Sequence, residues 1–273
     1  MTAWGHRVPA LLAIAVPVGA GMAWMAAAGA PSHYTLVNAG ALALAAVWIM
    51  LGREPRSPML QTAMAGTLLA LMALPLVTGP FLPSLSQEAV ARWIPLGPVT
   101  LHAGMVAIPP LAVLAARDER FGWAWLGMAI VIALFQPDAA SGFALTFASV
   151  GVHHVTKDWR VGLVAVIGFF ASLLMGVAGE LPPQEFVEQV VQQAMASGLA
   201  VTLALVASLG ASFLLVVFAA PLERAARMGL AGCLFGFVMT AVMSSYPTPL
   251  VGYGAAPILG FGLALGLVRK ERI

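Results

Sequence analysis

Phe135-Gln136-Pro137-Asp138-Ala139-Ala140-Ser141-Gly142 puts an amide, a helix breaker and a carboxylate into sequence that is apolar on both sides. About 15 apolar residues lead to it from Phe121 and about 10 follow it to Val152, each run shorter than the ~20 residues a spanning helix needs. If both runs cross a bilayer, the turn joining them lies below the membrane surface. A turn at that depth needs protein or a water-filled cavity around it, because freed backbone groups and the Asp138 charge are too costly against lipid. Asp138 therefore reads in two ways, as the cap of the next helix or as a group lining a polar cavity.

The rest of the chain supports a membrane setting. Its 273 residues are 61% hydrophobic and 9% charged, against about 25% charged in soluble domains. That excludes a soluble globule and implies an all-α polytopic integral membrane protein; a β-barrel would instead alternate over ~10-residue segments. Cys233 is the sole cysteine, so neither an intrachain disulfide nor a multi-cysteine metal site can form. The histidines show no His-Glu-x-x-His spacing, and no Lys/Arg run or acidic tail suggests nucleic acid.

Apolar runs near 8–28, 36–51, 60–78, 100–116, 121–135, 143–152, 161–178, 194–219, 228–244 and 250–268 predict about ten transmembrane helices, two of them short around the submerged turn. The first reads as an uncleaved helix, since its apolar part exceeds the ~7–15 residues of a signal peptide. Residues 1–273 then form a single transmembrane domain with longer connections at about 79–98 and 180–193. With both termini cytoplasmic, Arg7, Arg53, Arg56, Arg117, Arg120, Lys157, Arg160, Arg224, Arg227, Arg269, Lys270 and Arg272 fall inside. Of the 13 Lys and Arg residues only Arg92 is left outside, which satisfies the positive-inside rule. Merging the short pair around Asp138 into one helix would reverse that bias for every later loop.

Three stretches together carry a resemblance. Arg92-Trp93-Ile94-Pro95-Leu96-Gly97, the Gln136-Pro137-Asp138 turn, and Pro247-Thr248-Pro249-Leu250-Val251-Gly252-Tyr253-Gly254 stand in the order and between the helices expected of the shape, elongation, division and sporulation (SEDS) family, of the FtsW and RodA kind. The chain resembles a shortened, divergent member over about residues 60–268. The resemblance implies a bacterial cytoplasmic (inner) membrane protein of peptidoglycan synthesis. Such a protein binds an undecaprenyl-linked sugar, polymerises glycan strands at the outer face, and pairs with a transpeptidase, a class B penicillin-binding protein. It leaves open whether a divalent cation assists. The departures are specific: His102-Ala103-Gly104-Met105 replaces the family's Gln-Pro-Ser-Glu, and the Thr-Asp-Phe motif with its catalytic Asp is absent from residues 180–193.

Sugar transfer from a pyrophosphate donor needs a carboxylate near the acceptor hydroxyl and donors near the departing phosphate. Glu185 and Asp138 are the candidate catalytic carboxylates. Arg92, Trp93, His102, Gln136, Glu188 and Tyr253 are the candidate substrate-binding residues. Each has a plainer reading. Arg92 would snorkel beside Trp93 at the interface, and His102 would be a neutral, hydrogen-bonded histidine near a helix end. If Pro183 opens a helix, Glu185 and Glu188 share a face, either as a carboxylate pair or as the polar side of a surface segment with Phe186, Val187, Val190 and Val191 opposite. Two further functions stay open. One is a non-catalytic partner in division or shape, and the other is a transporter or flippase of lipid-linked precursor.

Overall fold

The computed structural model describes residues 5–55, 57–97 and 99–269. Arg56, Lys270 and Arg272, counted above among the inner basic residues, lie outside them. After a 3-10 turn at Gly5–Arg7 come α1 (Val8–Ala27), α2 (Ser32–Leu51), α3 (Pro58–Ala73) and the single turn α4 (Pro75–Thr78). Two small antiparallel hairpins follow: β1 (Leu82–Pro83) with β2 (Ala89–Val90), and β3 (Trp93–Leu96) with β4 (Val99–His102). Then come α5 (Ala103–Ala115), α6 (Gly122–Phe135), α7 (Ala139–Thr156) and α8 (Trp159–Ala178). The chain finishes with α9 (Val190–Ser197), α10 (Leu199–Phe218), α11 (Arg224–Met243) and α12 (Ala255–Gly266).

Among the described residues six helical segments are long and apolar enough to cross a membrane: Gly5–Ala27, Ser32–Leu51, Pro58–Thr78, Trp159–Ala178, Leu199–Phe218 and Arg224–Met243. Three shorter apolar helices, α5, α6 and α12, accompany them. This is a multi-pass membrane protein. The outer face of α8 shows why: Leu163, Val166, Ile167, Phe170, Leu174 and Val177 are all exposed, an apolar stripe that only lipid would cover. Its other face buries Val161, Val164, Ala165, Gly168, Ser172 and Met175.

At the centre is α5, every residue of which is buried, Pro109 and Pro110 included. A helix apolar all round belongs in a core. Around it, α7 and α11 pack backbone to backbone. A β-carbon at Gly232 would collide with the Phe147 carbonyl, and one at Gly236 would meet the Cα of Ala144 at 2.6 Å. Small residues allow this close approach, which is how helices gain packing energy where apolar burial alone does not drive association.

The shortness anticipated around Asp138 is distributed differently. Helix α6 has 14 residues, but α7 has 18 and continues past Val152 through His153 and His154. Hydropathy understates α7 because Ser141, Thr146 and Ser149 are buried inside it, with the Ser149 hydroxyl donating back to the Leu145 carbonyl at 2.8 Å. The other short helices are α5 and α12, with 13 and 12 residues. At 1.5 Å per residue the three span about 18–21 Å, against a ~30 Å hydrocarbon core. All three stop short at one end, where Ala103, Phe135 and Ala255 lie.

The basic residues gather at the opposite end. Arg7 donates to the carbonyls of Ile49 (2.5 Å) and Gly52 (2.9 Å), and Arg117 to that of Leu267 (2.8 Å). Arg269 pairs with Glu223 and, at 3.8 Å, with Glu54.

Candidate functional site

The β3–β4 hairpin assembles the first half of the site. Register pairs Trp93 with His102 across the strands, and their rings meet edge to face at 5.8 Å. The Ala103 amide donates to the Arg92 carbonyl at 2.9 Å, so residues separated by a turn at Gly97 stand side by side. His102, read from the sequence as a hydrogen-bonded histidine near a helix end, is the N-cap of α5. Its Nδ1 accepts from the Met105 amide at 3.3 Å, which places the ring proton on Nε2.

That Nε2 points at Asp138, 3.4 Å from Oδ2. The structure supports the capping reading of Asp138, and the residue does not line the cavity described below. It caps α7, with Oδ1 accepting from the Ser141 amide at 3.2 Å, and it faces two basic side chains, His102 and the Arg92 guanidinium, whose Nη1 lies 3.6 Å from Oδ1. The Ser141 hydroxyl donates to Oδ2, and Gly104 supplies the space for it, since a β-carbon there would collide with that hydroxyl. Asp138 is fully buried and Arg92 is 1% exposed. Arg92 is packed between the rings of Trp93 and Tyr246, each 4.7 Å from its centre, and its Nη2 donates to the Gly179 carbonyl at 2.7 Å. Its Nε and Nη1, like His102 Nε2, have no hydrogen-bond partner of good geometry.

A cavity of about 490 Å³ opens beside this group. Trp93, His102, Met105, Glu188 and Tyr253 line it, together with prolines from both connections (Pro80, Pro83, Pro182, Pro183), from the approach to α12 (Pro247) and from its first turn (Pro257). Prolines fix their own φ, so these walls are set before any ligand arrives. His102 is the link between the cavity and Asp138, which does not itself reach the wall.

The two glutamates separate. Pro183 opens no helix: Phe186 and Gln189 take left-handed conformations (φ 63° and 55°), and α9 starts only at Val190. Glu185 is therefore exposed and off the cavity, whereas Glu188 is 7% exposed and on it. Glu188 lies in the connection between α8 and α9, and burial pushes its carboxyl up to about 7 despite the Gln184 amide, which donates to Oε2 at 2.7 Å, and the Arg92 charge. Gln136 is elsewhere. It is buried below the turn, donating to the Met72 carbonyl at 2.6 Å, and does not touch the cavity.

The structure thus brings together Arg92, Trp93, His102 and Asp138, places Glu188 and Tyr253 on the wall of the same cavity as Trp93 and His102, and leaves Glu185 and Gln136 out. Two participants escaped the sequence reading: Ser141 and Tyr246. Only Ser141, three residues after Asp138 at the position a capping residue bonds, carried a local signal.

Among the described residues no three His, Cys, Asp or Glu side chains group closely enough to hold a metal ion. Asp138 already faces Arg92 and His102, and Glu188 is the one carboxylate on the cavity wall. This donor set does not fit a divalent cation.

No family model and no curated protein matches the sequence. Solved structures do. The Rod shape determining protein RodA of Thermus thermophilus matches with a TM-score of 0.64 at 19% identity, covering 94% of each chain. An aspartate-to-alanine mutant of that protein matches at 0.66 and 19%, covering 97% of each. A chain from a peptidoglycan synthase complex, described for its structural coordination of polymerization and crosslinking, matches at 0.62 and 19%, again over 97% of each. The protein is a multi-pass membrane protein built on the RodA fold, a SEDS-like architecture.

Proposed function

We propose that this chain is a SEDS-like protein of peptidoglycan synthesis in the bacterial cytoplasmic membrane. It is one transmembrane domain of ten spans with both termini cytoplasmic, and its cavity faces outward. The cavity binds an undecaprenyl-linked sugar, and the protein works beside a transpeptidase of the penicillin-binding class. The reaction is glycosyl transfer. Glu188 removes the proton from the acceptor hydroxyl, that oxygen forms a bond to the anomeric carbon of the donor, and the pyrophosphate departs with the electrons of the broken bond. The His102 ring, held by the Met105 amide at Nδ1 and facing Asp138 through Nε2, fixes the cavity wall beside the reacting groups, and Arg92 adds its field from behind toward the charge that develops.

One observation carries this reading: the cavity of a RodA-like fold holds a single carboxylate, and its environment holds that carboxylate near neutrality, where a general base works best. Glu188 takes the role first assigned to Glu185, and Asp138 becomes a positioning residue. The experiment is strand synthesis from fluorescent lipid-linked disaccharide by purified protein, alone and with a cognate transpeptidase. Strands should vanish with Glu188→Gln and persist with Glu185→Gln.

A second reading has its own support. Arg92 is sealed behind Trp93, and no Lys or Arg lines the cavity, so the wall offers a phosphate no direct cation. That favours a non-catalytic partner of the same machinery. Well-folded protein that makes no strands under either condition, yet recovers the transpeptidase from membranes, would establish it. Lipid-linked sugar crossing sealed vesicles without polymer would instead establish a flippase.

A further inference from the structure

Tyr253 forms part of the cavity wall, and the chain holds this residue with more restraints than packing alone requires. Asn38, fully buried in the middle of α2, reaches across to the residues on either side of it. Its Nδ2 donates to the Gly252 carbonyl at 2.9 Å, and its Oδ1 accepts from the Gly254 amide at 3.0 Å. A single amide thus satisfies one acceptor and one donor of the backbone, as a neighbouring β-strand would, more than 200 residues away in sequence. The Tyr253 amide itself donates to the Phe186 carbonyl at 2.7 Å. Gly254 completes the turn at φ 151°, a conformation that a side chain would strain.

The ring is fixed as firmly as the backbone. Tyr34 stacks on it with centroids 3.7 Å apart and planes 6° from parallel, and His33 meets both rings edge-on, at 6.2 Å from Tyr253 and 4.7 Å from Tyr34. Phe186 closes the far edge of Tyr34 at 6.3 Å. One side of the Tyr253 ring is therefore covered by aromatic neighbours, while the half-buried remainder borders the cavity. A buried, fully satisfied polar network is costly to build and fixes a single geometry, and here that geometry is the plane of one tyrosine at a ligand-sized opening. A rigid aromatic face of this kind packs against the C–H face of a pyranose ring, gaining apolar contact without requiring charge.

We infer that Tyr253, backed by Tyr34 and His33 and held by Asn38, is a stacking subsite for an uncharged sugar ring, with Asn38 as its positioning residue. The subsite rests on the sugar-lipid reading above and deepens it. It recognises the sugar and not the lipid or the phosphate, which is what separates it from a general lipid groove.

The test compares two ligands on the purified full chain in nanodiscs: fluorescent lipid-linked disaccharide, and undecaprenyl phosphate, which carries no sugar. Tyr253→Leu should weaken the disaccharide form about tenfold and leave the sugar-free lipid unchanged. Tyr253→Phe, which keeps the ring, should bind both like the wild type. Asn38→Asp keeps the acceptor for the Gly254 amide and loses the donor to the Gly252 carbonyl; it should follow Tyr253→Leu in direction, again for the sugar-bearing ligand only. Equal losses for both ligands, or no loss with Tyr253→Leu, would sink the stacking subsite and leave the sugar-lipid reading standing. A wild type that binds the two ligands equally, or binds neither, would overturn both.

Discussion

Glu188 and Asp138 are both buried carboxylates, and their surroundings give them opposite tasks. Glu188 has one backbone donor and little else, so its carboxyl rises from the usual 4.5 to about 7. Strand synthesis should therefore increase as pH rises through about 7, where the base loses its proton, and a pH profile of wild-type strand yield checks this. Stability has the reverse sign. The folded form holds this proton over a range in which the unfolded chain has released it, so the Glu188 contribution is full below pH 4.5 and is lost as pH rises through about 7, on the order of 3 kcal/mol at most. A melt in detergent should show wild type losing ground to Glu188→Gln between pH 5 and pH 8. Asp138 instead faces Arg92 and His102. Asp138→Asn strands the guanidinium without a counter-charge, and a buried pair broken in this way costs roughly 3–5 kcal/mol. That variant should melt well below wild type, and pairing it with Arg92→Met should recover part of the loss. Asp138 stood out in the sequence because Pro137 and an apolar setting isolate it. Asn38, Tyr34 and Tyr246 did not, because their partners lie roughly 100 to 200 residues away and an Asn or Tyr in an apolar helix or turn looks the same with or without them.

The elements were legible to different degrees for physical reasons. Hydropathy identifies every helix that faces lipid, because lipid imposes the pattern. It undercounted α7, whose buried hydroxyls answer to neighbouring helices. It could not find the two hairpins, whose residues include Pro83 and Pro95 and whose strands are only two and four residues long. Yet β3–β4 is what brings Arg92 beside His102, so the part of the site that depended on it was read as a list of residues and not as a group. Its turn relies on Gly97 at φ 62° with nothing near the missing β-carbon. Gly97→Val should therefore impair the site through backbone strain, and lowered ligand affinity should accompany a small loss of stability, about 1 kcal/mol. Gly232→Val tests the helix pair instead. With the Phe147 carbonyl in the way, α7 and α11 must separate, at a cost of roughly 1–3 kcal/mol visible as a lower melting temperature.

Across the whole molecule, charge is distributed by end. Arg7, Arg117 and Arg269 bind carbonyls and carboxylates at one end, and Arg92 stands at the other with the cavity. The separation by end is the part of the charge pattern that the structure shows, and the sequence could not show that α5 and α12 are short as well as α6. Orientation has a direct measurement. Cys233 is fully buried, so the native chain should be silent to a membrane-impermeant maleimide, and single cysteines can be read against that background. Glu185→Cys should react in intact cells and Arg120→Cys only after permeabilisation; the opposite pattern would invert the proposed topology.

The retreat of α5, α6 and α12 has an electrical meaning as well. Helices of about 20 Å in a ~30 Å barrier leave the cavity floor about one third of the way through the insulating layer. With the far ends of these helices flush with the opposite surface and the cavity outward as proposed, a third of the transmembrane voltage falls between the outer solution and the cavity floor. With the cavity outward, an anion descending to that depth moves against an interior-negative potential, at about 0.8 kcal/mol per charge for each 100 mV. In proteoliposomes carrying a potassium diffusion potential, an anionic lipid should bind about fourfold more weakly per charge at −100 mV than at zero. Binding indifferent to voltage would mean that the recess fills with water and ions down to its floor.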